Sequence, residues 1–270
     1  MKKLTLLLLA LLYVTLTYAY TERDLLQKQA DINRLKEILV LDRQWVTYPD
    51  YNDRASWDRF LGTFKDEYIR RGEKRLNYQW QVVKATDYLA FERTGNRQIM
   101  EKPFGANNGA IADLLMAELA EGKGRFVDQL INGVFNACEM TSWALAAHII
   151  VQPSHRALPA YDYPVIDLTS GDLGGLLAWT YHFMRPSFDK VDPEISRRLR
   201  HELQTRILDP YMNNDSFWWM GRNYNGRMLN NWNPWCNSNA LMCFMLLEDN
   251  RDTLAKAVHL TMESVDKFLN

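Results

Sequence analysis

Apolar residues recur at three- and four-residue spacing along nearly the whole chain, and this period restricts the fold more than any other feature. Leu25, Leu26, Ile32, Leu35, Ile38 and Leu39 form one stripe; Trp57, Phe60, Leu61, Phe64 and Tyr68 form a second, over about 56–71. A third helix carries Trp80, Val83, Tyr88, Leu89 and Phe91 and stops at Gly95, a residue suited to helix ends. Further helices are predicted over 110–120, over a long apolar stretch 126–151, and over 171–184, the last ending before Pro186. Asp192 and Pro193 supply a cap and first turn for a helix through Leu208, and two more follow over 238–247 and 252–269. No stretch alternates with period two or carries a hairpin signal. The fold class is all-α, with successive helices packed as antiparallel pairs in an α/α toroid or an irregular bundle.

The N-terminus follows another rule. Lys2 and Lys3 precede an apolar run from Leu4 to Leu16, and Thr17, Tyr18 and Ala19 close it with a small-x-small ending. The run is short for a membrane span, which needs about 20 apolar residues. Residues 1–19 therefore read as a cleaved signal peptide, and 20–270 as a helical domain delivered to the periplasm or secreted, with no membrane attachment after cleavage. A formal net charge of -1 gives no field for binding nucleic acid, so an acidic partner would need a local groove. Three cysteines in an exported chain leave at least one free thiol. Cys236 and Cys243, seven apart on one predicted helix, are expected to face the core, and neither a disulfide scaffold nor a zinc site is indicated.

The segment from Tyr211 to Asn239 departs from the amphipathic pattern. It gathers Trp218, Trp219, Trp232 and Trp235 with a series of asparagines and with Arg222 and Arg227. A long connection of this kind is uncommon unless functional or disordered, and its aromatic content argues against disorder. Amides and guanidinium groups supply paired donors for hydroxyls and carboxylates, and indoles supply a stacking surface, which together suit a carbohydrate. Core aromatics and turn-forming asparagines are the plain alternative.

Three blocks carry a family resemblance: FNACEMTSWALAAH (135–148), DLTSGDLGGLLAWTYHFM (167–184) and NNWNPWCNSN (230–239). In content, order and spacing they resemble successive toroid helices of heparinase II/III-like polysaccharide lyases. The resemblance covers most of the mature chain and implies an incomplete α/α toroid that performs β-elimination on an acidic, uronic-acid-containing polysaccharide such as a glycosaminoglycan. Such an enzyme first offsets the uronate carboxylate so that the C5 proton becomes removable. An asparagine serves as that donor in relatives, and Asn230 or Asn231 holds the matching position. A tyrosine, often with a histidine, then moves the protons. In relatives it lies downstream, and a C-terminal β region can hold a structural divalent metal; no cofactor is expected within these residues. The chain ends beside its last apolar helix position, which reads as truncation, so lyase turnover is not expected of it alone and an apolar face of the 252–269 helix should lie bare.

Around Asn230 and Asn231 the candidate substrate contacts are Arg222, Asn223, Trp232, Asn233, Trp235, His148 and Tyr181. Each has a structural alternative: helix capping for the asparagines, a surface ion pair for Arg222, core packing for the indoles, and a satisfied core group for His148. Arg197, Arg198, Arg200 and His201 read as a solvated helix face. Two other classes remain: an α/α-toroid glycoside hydrolase, for which Asp209 and Asp215 are the carboxylates near the aromatic segment, and a non-catalytic glycan-binding protein.

Overall fold

The computed structural model describes residues 23–223 and 228–269; the predicted signal peptide and residues 224–227, which include Tyr224 and Arg227, lie outside them. The described chain is all-α, with no strand. Its helices are α1 (Ile32–Ile38), α2 (Arg54–Leu61), α3 (Lys65–Glu73), α4 (Ala85–Thr94), α5 (Gln98–Glu121), α6 (Val127–Glu139), α7 (Leu168–Val191), α8 (Pro193–Leu203), α9 (Asp209–Asn213), α10 (Trp232–Leu247) and α11 (Arg251–Leu269). Aspartates start several of them: Asp31, Asp53 and Asp192 accept from the backbone N–H of Arg34, Ser56 and Glu194. Gly95 and Gly122 end α4 and α5 in the left-handed conformation. Sequential neighbours α5–α6, α7–α8 and α10–α11 pack together, and α3–α5, α7–α10 and α1–α11 join them across the chain. The main apolar core runs from Trp57 to Leu260, and a smaller cluster joins α1 to α11.

Several predicted boundaries move, and two of them do so for clear physical reasons. The stretch expected as one helix over 126–151 breaks at Met140, whose backbone turns extended. Side chains replace the missing helical partners: Trp143 Nε1 donates to the Ala137 carbonyl at 2.8 Å, and Arg206 reaches the carbonyls of Cys138 and Thr141. Trp143, Ala144 and Ala146 are nevertheless buried, so an irregular segment carries the composition of a core helix. In the other direction, α7 continues through Pro186 to Val191. Met184 and Phe188 are fully buried on either side of the proline, and that burial outweighs the one backbone bond the ring removes.

The bare face expected on the last helix is covered. Ala30 and Leu35, with Ile32 and Leu39, pack against Ala255, Val258 and Met262 of α11. The fully buried Asp266 carboxylate accepts the backbone N–H groups of Leu26 and Gln27, each at 2.9 Å. Arg251 donates to the carbonyl of Lys36 at 2.6 Å and Arg43 to that of Leu246 at 2.8 Å. The N-terminal segment thus supplies the partner that α11 requires.

All three cysteines are free and buried. Burial pushes the Cys138 and Cys243 thiols up to about 12 and raises Cys236 as well. Native protein should therefore resist a thiol-specific disulfide reagent near neutral pH, and all three should react once urea unfolds the chain. Rapid labelling of any of them in the native state would contradict the packing of α6 and α10.

Candidate functional site

A single carboxylate organises the junction between the broken end of α6 and the start of α7. Asp167 is fully buried at the N-cap of α7. Its Oδ1 accepts the Ser170 N–H at 2.7 Å, and the Asp167 N–H donates to Ser170 Oγ at 2.7 Å, a reciprocal cap. Oδ2 accepts the Leu145 N–H at 3.1 Å and lies 2.7 Å from His148 Nδ1. His148 is thus held from a loop, not from the apolar helix expected of it.

The other imidazole nitrogen faces outward. Nε2 lies 3.2 Å from an Arg97 guanidinium nitrogen, and Arg97 also pairs with Glu101 at 2.6 Å. Guanidinium has no acceptor, so this contact needs a lone pair on Nε2. The hydrogen then sits on Nδ1, directed at Asp167. The imidazole is thus oriented by a buried carboxylate at one nitrogen and met by a guanidinium at the other.

Indoles form the adjoining wall. The His148 ring meets Trp232 edge-on at 4.7 Å, and Trp232 leans on Trp218 at 5.4 Å. Trp218 is 41% exposed, and its sequence neighbour Trp219 is buried against Phe217 and Tyr211 with its N–H on the Ile166 carbonyl. Trp235 is 43% exposed and donates at 2.7 Å to Asp172, which also accepts from Asn239. Asn230 and Asn231 are both exposed. Asn230 Oδ1 accepts the Trp232 N–H at 3.0 Å. Asn231 occupies the N-cap of α10 without using its side chain as a cap, and among the described residues its amide has no partner. An unbonded amide at the positive end of a 16-residue helix suits an anion.

Other expected contacts lie elsewhere. Asn233 is fully buried, donating to the Trp219 and Ser264 carbonyls at 2.7 and 2.9 Å. It clamps α10 to α11 and the aromatic segment, so substrate cannot reach it in this arrangement. The block that contains it is mostly the first turns of α10 and not loop. Arg222 forms the surface ion pair that was its alternative, with Asp215, and Asn223 donates to the Asp215 carbonyl at 2.9 Å. Tyr181 sits about 20 Å along α7 from its first residue, by the helical rise, beneath the Arg185 guanidinium. Its neighbour His182 is held below the usual imidazole range, by burial first and then by Arg43.

Tyr211, the described tyrosine of the aromatic segment, is interior. Its hydroxyl meets Asn237 Oδ1 at 2.6 Å and Thr261 Oγ1 at 2.8 Å, and burial raises its phenol well above the ordinary value. Asp209 and Asp215 line one open groove with Asn213 and Asn223, and Asp215 is taken up by Arg222. Among the described residues no cluster of three or more metal-type ligands occurs, and no helix is long and apolar enough to cross a membrane.

Sequence reasoning overlooked Asp167 and Arg97 as site residues. The Asp-Leu-Thr-Ser start of α7 is a legible cap, and a buried cap beside a histidine could have been considered. Nothing local marks Arg97, which lies 51 residues from His148. Comparison of the chain with protein-family models and with curated proteins found no match.

Proposed function

We propose that the His148–Trp232–Trp218 surface binds a uronic-acid-containing polysaccharide and forms part of a lyase that cleaves it by β-elimination, in the manner of the heparinase II/III-like proteins the sequence resembles. The observation that carries this reading is the convergence of a carboxylate-oriented imidazole, the half-buried Trp232, the exposed Trp218 and the unbonded Asn231 amide at one surface. A sugar ring stacks on Trp218 and Trp232, as apolar sugar faces do on indoles. Asn231 donates to the uronate carboxylate, with Arg97 beside it, and so makes the C5 proton more acidic. A base removes that proton, the C4–O4 bond breaks, a C4=C5 double bond forms, and an acid returns a proton to the leaving oxygen. His148 serves one of these transfers once the substrate carboxylate draws Arg97 away from Nε2. The lysine–apolar–small N-terminus fits delivery of such an enzyme to extracellular polysaccharide.

Among the described residues no tyrosine hydrogen-bonds or stacks on His148, Trp218 or Trp232, and Tyr211 is interior. The expectation for this chain is therefore selective uronate binding with elimination near background. Tryptophan fluorescence titration with uronate and neutral oligosaccharides tests the first half. Uronates should bind more tightly, and Trp232→Ala should weaken them about tenfold through lost stacking. Equal affinity for neutral sugars, or no effect of Trp232→Ala, would remove the basis of the proposal. Ultraviolet detection of a 4,5-unsaturated uronate reads the reaction class. New reducing ends without that chromophore would replace the lyase by a hydrolase acting through Asp209 and Asp215.

A further inference from the structure

A second groove lies between α7 and α8, well along α7 from the His148 surface. It encloses about 690 Å³ and is lined by Tyr181, Arg185 and Asp189 of α7 and by Ser196, Arg197 and Arg200 of α8. Arg185 pairs with Asp189 at 3.4 Å, and Arg197 pairs with Glu194. Arg200 is different. Its guanidinium meets only the neutral Gln204 side chain, at 2.7 Å, and among the described residues it has no carboxylate partner. His201 stands beside it in the same lining. The fourth basic residue of this run, Arg198, turns away to Glu139 and Glu202, so the run is not one uniform solvated face.

Ser196 adds an independent observation. It is only 4% exposed, lines the groove, and its Oγ has no hydrogen-bond partner. A helical hydroxyl ordinarily bonds back to the carbonyl four residues earlier. Thr180, Thr205 and Thr261 all do so here, to Leu176, His201 and Ala257. Ser196 does not, and an unsatisfied buried hydroxyl is costly unless something completes it. We propose that this groove is an anion site for a tetrahedral oxyanion, a sulfate or phosphate group, gripped by the Arg200 fork and completed by Ser196 Oγ. Guanidinium offers two parallel donors to such a group, and the hydroxyl supplies a third. The proposal is independent of the lyase reading, because it uses no residue of the His148 surface.

The test is titration of the 270-residue chain with sodium sulfate and with inorganic phosphate, followed by the ring-proton resonances of His201. A saturable shift is expected, weakened about tenfold in Arg200→Gln and again in Ser196→Ala. Ser196→Ala should leave the thermal midpoint unchanged or higher, since the hydroxyl has nothing to lose in the folded chain. Trp232→Ala should not alter sulfate affinity, so failure of this site and failure of the uronate site are separable. A sulfated uronate oligosaccharide that binds more than tenfold tighter than inorganic sulfate, with the same dependence on Arg200, would identify a sulfate ester as the source. Equal affinity for the free ions would identify a small-anion site, and either result supports the groove. No saturable shift, or full affinity in both variants, would overturn it. So would a loss of stability in Ser196→Ala equal to a hydrogen bond.

Discussion

Replacing Asp167 with alanine should lower the unfolding free energy by roughly 3–5 kcal/mol, because one carboxylate serves three parts of the structure at once. It caps α7 through Ser170, and loss of a cap costs about 1 kcal/mol. It also accepts the buried Leu145 N–H and the His148 Nδ1–H, and hydrogen bonds to a charged group contribute roughly 1.5–3 kcal/mol each. Alanine would leave those two donors without an acceptor at a fully buried position. Urea unfolding followed by circular dichroism measures the change. Asp167→Asn separates the two roles. Its oxygen can keep the Ser170 cap, but its amide would present a donor to Nδ1 and drive the imidazole hydrogen to Nε2. That hydrogen would then point at Arg97, two donors face to face. Nitrogen chemical shifts of the ring should report the tautomer reversal, and uronate binding should weaken even where stability survives. An alanine variant within about 1 kcal/mol of the parent would show that the junction does not depend on this carboxylate.

That junction also marks where sequence reading stops. The all-α class follows from periodicity because amphipathic helices must share one core, and Asp192-Pro193 and Gly95 mark ends by local chemistry alone. The break at Met140 is set by Trp143, Tyr88 and Arg206, the last two remote in sequence, and an apolar loop packed in the core has the composition of a helix. The aromatic segment misleads in the opposite direction. Asn233 and Asn237 stand four apart on one face of α10, and both bond Ser264 of α11. Polar groups that join two buried helices look in sequence like turn formers or ligands. Adjacent Trp218 and Trp219 have opposite fates, which no local pattern separates, since burial is decided by what Ile166 and Tyr211 bring to that place. Likewise, the cover on α11 comes from the far end of the chain, through Asp266.

A second large effect is expected where α3 crosses α5. Gly72→Ala in a helix would ordinarily stabilise by up to about 1 kcal/mol, through propensity alone. At this crossing a Cβ on Gly72 would stand 2.1 Å from the Ala117 Cβ, 3.1 Å from Phe126 Cε1 and 3.3 Å from the Asp113 carbonyl oxygen. Ala117 is fully buried and has no rotamer to give, so the clash can be relieved only by moving one helix from the other. That movement would strain the ion pairs holding the same crossing, where Arg75 meets the buried Asp113 carboxylate at 2.9 Å and Arg71 meets its other oxygen. Overpacking costs about 1–3 kcal/mol and occasionally more, so a net loss of roughly 2–3 kcal/mol is expected after the propensity gain. For a domain of this size it corresponds to a thermal midpoint lower by about 5–10 °C. Ala117→Gly should restore the space. The double variant should then be about as stable as Ala117→Gly alone, a coupling of about 2 kcal/mol or more between the two positions. Gly105→Ala is the internal control: it lies in α5 with nothing within 4 Å of its Cβ, and should gain a few tenths to about 1 kcal/mol. Equal stability of Gly72→Ala and Gly105→Ala, or strict additivity of Gly72→Ala with Ala117→Gly, would mean that the two helices do not meet at this distance.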